Sequence, residues 1–168
     1  MLSKKIEKAL NGQVEVEAAS SQFYLAMASW AETKGLNGVS KFLYEHSDEE
    51  RFHMMKLIKY INERGGKAVV PALSKPPEDF ASLNSIFQSL FDHEVKVTKE
   101  INSVVELCLS EKDYTTHHFM QWYVAEQIEE EALAADLLDK LNLIGNDKGG
   151  LYLFDRDLES LAGTESEK

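Results

Sequence analysis

Apolar side chains recur every three or four residues along four long segments, the spacing of amphipathic helices. The first segment covers residues 3–33, with Ile6, Leu10, Val14, Ser21, Tyr24 and Ala28 on its stripe. The second, 37–64, places Val39, Phe42, Leu43, Leu57 and Ile61 on one face. The third, 82–110, does so with Leu83, Phe87, Leu90, Val97, Ile101, Val104 and Cys108. The fourth, 113–144, uses Phe119, Trp122, Tyr123, Leu133, Leu137 and Leu141. Ser3 and Ser82 read as N-caps, and Gly35, Gly65-Gly66 and Gly145 as stops. A shorter amphipathic stretch, 150–161, predicts a fifth helix, and the polar tail 162–168 is expected to be disordered.

These elements predict one all-α domain over residues 1–168. Segments of about 27 to 32 residues make helices about 40 to 48 Å long. The links after the first and third are short, which favours antiparallel neighbours. The link after the second carries all three prolines, Pro71, Pro76 and Pro77. At about 3.3 Å per residue its roughly 17 residues reach about 55 Å, enough to run the length of the bundle. The expected architecture is a four-helix bundle with a long crossover between the second and third helices.

Each long stripe is interrupted near its middle by a carboxylate: Glu17, Glu50, Glu94 and Glu130. Mid-height does not depend on helix direction, so all four are expected in one layer. A buried charge is costly unless paired. No Lys or Arg stands three or four residues from Glu17, Glu94, Glu126, Glu129 or Glu130. The last three lie at i, i+3 and i+4, where like charges destabilise a helix by about 0.2–0.5 kcal/mol per pair. A multivalent cation is the simplest neutraliser. Glu50-Arg51-Phe52-His53 is a Glu-x-x-His motif, which puts carboxylate and imidazole on one helical face. Oxygen-rich coordination with one imidazole suits Fe(II) or Mn(II).

Charge and composition narrow the classes. Twenty-nine acidic against 18 basic residues give a net charge of −11, which disfavours nucleic acid and anionic membranes as partners. The lone Cys108 permits no internal disulfide, fitting a reducing, cytoplasmic setting. No apolar run resembles a signal peptide or a membrane span.

Almost the whole chain resembles bacterial non-haem ferritin, within the ferritin-like di-iron carboxylate class. The resemblance is carried by Glu17 with Tyr24, Glu49-Glu50-x-x-His53, Glu94, the run Trp122-Tyr123-Val124-x-Glu126-Gln127-x-Glu129-Glu130, and Gly150-Leu151-Tyr152-Leu153-Phe154-Asp155. It implies a ferroxidase centre in which Glu17, Glu50 and His53 bind one iron. Glu50, Glu94 and Glu130 would bind the second, with Gln127 as a hydrogen-bonding group nearby. Glu49, Glu126 and Glu129, with Glu130, would form a third iron site. Tyr24 would sit beside the centre as hydrogen-bond and electron donor. Fe(II) would be oxidised by dioxygen or peroxide. Ferric oxide would collect inside a closed shell of about twenty-four copies of the chain.

Departures from related families inform as well. Bacterioferritin would show Glu-x-x-His on the second and fourth helices and a haem-ligating Met within the first motif. Here Arg51 and Phe52 fill the first motif, and in Gln127-Ile128-Glu129-Glu130 a Glu replaces the other His, so no haem is expected. The Cys-x-x-Cys pairs of rubrerythrins are absent. His118 and Gln121 occupy the places where animal ferritins carry the acidic pair of the threefold channel. His46, one turn before Glu50, reads as a packed histidine supporting the ligands rather than one of them. Trp122 reads as packing. Two alternatives stand beside the leading reading: a di-iron or di-manganese oxygenase or catalase on the same bundle, and a bundle with no active centre.

Overall fold

A computed structural model describes residues 1–161 of the 168. The described residues form five α-helices: α1 Lys4–Thr33, α2 Asn37–Glu63, α3 Leu83–Ser110, α4 Tyr114–Ile144 and α5 Lys148–Leu161. The limits of the four long helices agree with the sequence pattern to within one residue, and α5 begins two residues early. The tail expected to be disordered, 162–168, lies outside the described residues.

The limits were readable because the capping side chains do what their chemistry allows. Ser3 accepts from the Ile6 N–H at 3.3 Å and Asp113 from the Thr116 N–H at 3.0 Å. Ser82 and Ser85 form a reciprocal capping box at the start of α3. Gly35, Gly65 and Gly145 follow α1, α2 and α4 at φ of +75°, +76° and +59°, a region glycine enters at little cost.

Pairings at the helix ends give the topology. The Leu2 N–H donates to the Arg64 carbonyl at one end of the α1–α2 pair, and the Tyr44 hydroxyl donates to Glu32 at the other. Asn84 bonds Asn142 across α3 and α4, and Lys5 bonds Glu111 across α1 and α3. Each of these pairs is therefore antiparallel, and α2 runs parallel to α3. The connector 64–82 spans the bundle length along α1. Asn11 holds it near one end through Lys67 and Val69, and the Trp30 indole N–H donates to Asp79 at the other.

The core is divided in two. One apolar cluster gathers Ile6, Leu10, Leu57, Ile61, Ile101 and Met120 at one end. The other gathers Met27, Phe42, Leu43, Phe87, Leu137 and Phe154 at the opposite end. Between them lies the mid-height layer of buried polar residues, as the stripes predicted. Among the described residues no helix is long and apolar enough to cross a membrane.

The short fifth helix is fastened to the start of α2. Leu36 offers no side chain to cap α2, and Asp155 of α5 does so instead, accepting from the Val39 N–H at 2.9 Å. The two backbones come so close that a Cβ on Gly38 would lie 1.8 Å from the Asp155 carbonyl oxygen. Phe154 and Leu158 then bury in the adjacent core. Gly38→Ala is expected to unseat α5 and cost about 1–3 kcal/mol. Thermal melts and amide exchange in α5 check this, and an unchanged melt with protected α5 amides would refute the close-approach argument.

Candidate metal centre

Four helices contribute to the layer because each places a polar residue mid-stripe. Glu17 and Glu94 are 1% exposed, Glu50 3%, His53 4% and Gln127 5%. Glu130 is less enclosed and sits at the edge of the layer. No Lys or Arg ion pair reaches Glu17, Glu50, Glu94 or Glu130 among the described residues. The basic groups that do approach are histidines, a compensation that an inventory of Lys and Arg overlooks.

Glu17, Glu50 and His53 each offer one ligand atom, all within 4.8 Å of one another. His53 Nδ1 lies 3.7 Å from Glu17 Oε2 and 3.6 Å from Glu50 Oε2. The buried Glu50 Oε2 has no hydrogen-bond partner. Oxygens of Glu17 and Glu94 are held from behind. Gln13 donates to Glu17 Oε1 at 2.8 Å, leaving Oε2 toward His53. The Tyr24 hydroxyl donates to Glu94 Oε1. The Gln127 amide donates to Glu94 Oε2 at 3.0 Å, and also approaches the Glu94 carbonyl and Thr98 Oγ1. The Tyr123 hydroxyl donates to the His53 carbonyl at 2.9 Å, tying α2 to α4 beside the site.

A second trio lies on the α2–α4 side. His46, Glu49 and Glu130 also bring one ligand atom each within 4.8 Å of one another. Glu49 and Glu130, together with Glu126, Glu129, His53, Lys56 and Trp122, line a cavity of about 730 Å³ between α2 and α4. The structure thus brings Glu49 and Glu130 into a tight group with His46, while Glu126 and Glu129 stand on the wall of the shared cavity. Trp122 packs edge-on against the His53 ring, and Lys56 sits over the Trp122 face at 4.1 Å.

Electrostatics follow from burial. Burial pushes the Glu50 carboxyl well above its ordinary range, the Glu17 charge adds to this, and His53 opposes it. Burial, with the charges of Glu130 and Glu17, pushes Glu94 up to about 8. Burial disfavours the His53 cation, but the neighbouring carboxylates of Glu17 and Glu50 outweigh it and raise this group to about 10. Glu130 moves the other way. Burial would raise it, and His46 holds it below the usual carboxylate range. Glu50, Glu94 and His53 therefore hold protons that a divalent cation in their midst would displace. Carboxylate oxygens plus imidazole nitrogen are the donor set of Fe(II), Mn(II) or Zn(II).

The supporting groups escaped the sequence reading to different degrees. Gln13 stands four residues before Glu17, and that spacing was an available signal. Thr98 and His93 gave none, and Tyr123 was read only as part of the fourth stripe and of the run that carries the resemblance. His93 reaches from α3 to α1. Its Nε2 bonds the Ser20 hydroxyl at 2.7 Å, and its ring packs against Phe23 and Tyr24.

A crossover four-helix bundle with a buried mid-height layer of Glu and His belongs to the ferritin-like class of carboxylate bundles. Comparison with known proteins agrees. The Ferritin family model, described as a ferritin-like domain, matches residues 7–144. The chain is 44% identical over 162 residues to a probable bacterial non-haem ferritin-like protein of Haemophilus influenzae, covering 96% of this chain and 98% of that protein. It is 43% identical over 162 residues to the bacterial non-haem ferritin of Campylobacter jejuni, covering 96% and 97%. An open-pore ferritin of the archaeon Archaeoglobus fulgidus superposes with a TM-score of 0.93 at 43% identity, over 95% of this chain and 98% of that one. The chain belongs to the ferritin family, as an iron-storage protein of the bacterial non-haem type.

Raised folded-state values give the metal-free protein a defined pH response. A carboxyl or imidazole raised on folding contributes stability that is full below its unfolded value and lost as pH rises through its folded value. Glu94 loses its contribution between about 4.5 and about 8, and His53 between about 6.5 and about 10. Glu50 moves in the same direction. The chelated protein is expected to melt lower at about pH 9 than at about pH 6. Added divalent metal should raise the melt more at the higher pH. Calorimetry with and without metal measures both, and a metal effect equal at both pH values would contradict the assignment of these groups to the site.

Proposed function

We propose that the chain is a ferroxidase, oxidising Fe(II) at the mid-height layer and storing the ferric product. Glu17, Glu50 and His53 hold one iron substrate, and Glu50, Glu94 and Glu130 the other, with Glu50 between them. The observation that carries this reading is the buried Glu50 Oε2, which has no hydrogen-bond partner and lies 3.6 Å from His53 Nδ1. A buried carboxylate oxygen without a donor is costly in a stability-only core. Facing a cation, it is a ligand.

Two Fe(II) ions supply the two electrons that take dioxygen to hydrogen peroxide, or hydrogen peroxide to water, with two protons taken up. The protein sets the stage for that transfer. Gln127 and Tyr24 fix the two oxygens of Glu94, and Gln13 fixes one of Glu17. Tyr24 also stands where it can donate an electron and proton together. Glu49, Glu126 and Glu129 on the adjoining cavity form a third iron position. Four carboxylates stand on that cavity's wall beside His53, Lys56 and the apolar Phe52, Trp122 and Leu133, and they attract cations. The likeness to bacterial non-haem ferritins supports storage over the oxygenase reading.

Ferric oxide then collects inside a shell of about twenty-four subunits, closed by symmetry. Apolar side chains left in water by the single chain support assembly: Val69 and Val70 on the connector, Leu143, and Tyr152 and Leu153 on α5. The buried free thiol of Cys108 fits a reducing cytoplasm.

Glu50→Gln separates function from fold. The neutral isostere keeps the volume and removes the ligand charge. Aerobic Fe(II) oxidation, followed by ferric absorbance, is expected to slow by about 10-fold or more. The metal-free variant should melt no lower than the parent. An unchanged initial rate removes Glu50 from the centre.

A further inference from the structure

We infer that Trp30, with Asp79 as its proton acceptor, is an electron donor to Tyr24 and carries an oxidising equivalent from the mid-height layer to the surface between α1 and the connector. This rests on the reading of Tyr24 as an electron donor and adds a second residue to it.

Hydrogen peroxide creates the need. Its reduction to water takes two electrons, and a centre holding a single Fe(II) supplies one. The other comes from Tyr24, whose hydroxyl donates to Glu94 Oε1 and leaves its proton there as the electron departs. One Fe(II), one Tyr24 electron, one peroxide and two protons from solvent then give one Fe(III), two waters and a Tyr24 radical. Tyr24 is 0% exposed, so no reductant in solution can touch it.

Trp30 stands six residues further along α1, about 9 Å along the helix axis. Packed rings fill the interval. Trp30 meets Phe80 with 6.0 Å between ring centres, Phe80 meets Phe23 at 6.4 Å, and Phe23 meets Tyr24 at 6.0 Å. Electron tunnelling weakens steeply with distance, and most steeply across empty gaps, so close packing favours transfer. Phenylalanine is too hard to oxidise to hold the charge. The electron therefore passes from Trp30 to Tyr24 in one step.

The surroundings of Trp30 require a proton to leave with that electron. Lys34 lies 5.2 Å from the ring centre, and its charge opposes an indole cation. The indole Nε1–H donates to Asp79 Oδ1 at 2.6 Å, at the short end for a charge-assisted bond. This bond, the Phe80 N–H and Lys34 hold Asp79 below the usual carboxylate range, so it stands ionised beside the indole. Asp79 takes the indole proton as the electron leaves, and Tyr24 recovers its own from Glu94. A neutral Trp30 radical remains, on the wall of an open cavity of about 410 Å³ that Lys34 and Lys75 also line. Those cations suit a small anionic reductant such as ascorbate, which restores Trp30 with one electron while Asp79 returns the proton.

One Fe(II) per subunit followed by hydrogen peroxide, added to the assembled protein, is the probe. Freeze-quench paramagnetic resonance should show a tyrosyl radical, then an indole radical identified by deuterated tryptophan. Trp30→Phe should keep the tyrosyl signal, lengthen its life severalfold and remove its quenching by ascorbate. Asp79→Asn keeps an oxygen for the indole N–H but not the base, and should lengthen that life likewise. Oxidation of two Fe(II) per subunit by dioxygen needs no electron from the protein and should keep its parental rate in both variants. An equal slowing there replaces the relay with a general disturbance of the fold and overturns it. An unchanged tyrosyl lifetime in both variants also overturns it, as does an indole radical that survives Trp30→Phe and vanishes in Trp122→Phe. A parent that oxidises Fe(II) without a tyrosyl radical defeats the relay and leaves the ferroxidase reading standing. A parent that leaves Fe(II) unoxidised defeats both.

Discussion

The desolvation of carboxylates at mid-height is the constraint around which this bundle is arranged. Glu17, Glu50 and Glu94 are enclosed almost completely, and removing such charges from water costs several kcal/mol each unless it is compensated. Compensation is built in three forms. Neutral donors hold the outer oxygens, as Gln13, Gln127 and Tyr24 do. Histidines share the inner ones. Protons remain on groups that would ionise in water, seen in the raised values of Glu50 and Glu94. The separate apolar clusters at the two ends supply the stability that the layer withholds.

The two long seams of the bundle treat this layer differently. Along α1 and α3, Tyr24, Ser20 and His93 pack and hydrogen-bond across the gap. Along α2 and α4 a carboxylate-lined cavity opens beside the layer, with Lys56 the one Lys or Arg among its lining residues. A cation approaching from the second side meets rising negative charge through an open cavity. Access and attraction therefore coincide on one face, while the other anchors the ligands.

Helix limits and the carboxylate layer were legible because both are local or periodic properties. Ser3, Ser82 and Asp113 cap helices through atoms two or three residues away, and a stripe of period 3.6 states which face is buried. Partnerships between helices were not legible. Periodicity assigns a residue to a face but leaves the rotation of the neighbouring helix open. His46 and His53 share one stripe, yet seven residues at 1.5 Å separate them by about 10 Å along the axis. One therefore meets Glu130 on α4 and the other Glu17 on α1. The Asp155 cap on α2 was hidden for the same reason, since its partner lies over a hundred residues away in the chain.

Helix α4 shows how substitutions in a shared plan change what the site can do, since Gln127 and Glu130 stand where Glu-x-x-His would put Glu and His. A histidine at position 130 would give the second metal position its own nitrogen ligand and a symmetric, strongly held pair. The glutamine amide instead spends its hydrogens on Glu94 and Thr98, orienting a ligand rather than being one. The proposed centre then has one imidazole at one position and carboxylates alone at the other. Carboxylates can change from one-oxygen to two-oxygen coordination and can release an ion at lower cost than a fixed imidazole. Asymmetry of this kind suits a metal that arrives, is oxidised and moves on, which is what a storage protein requires and a resident cofactor site avoids.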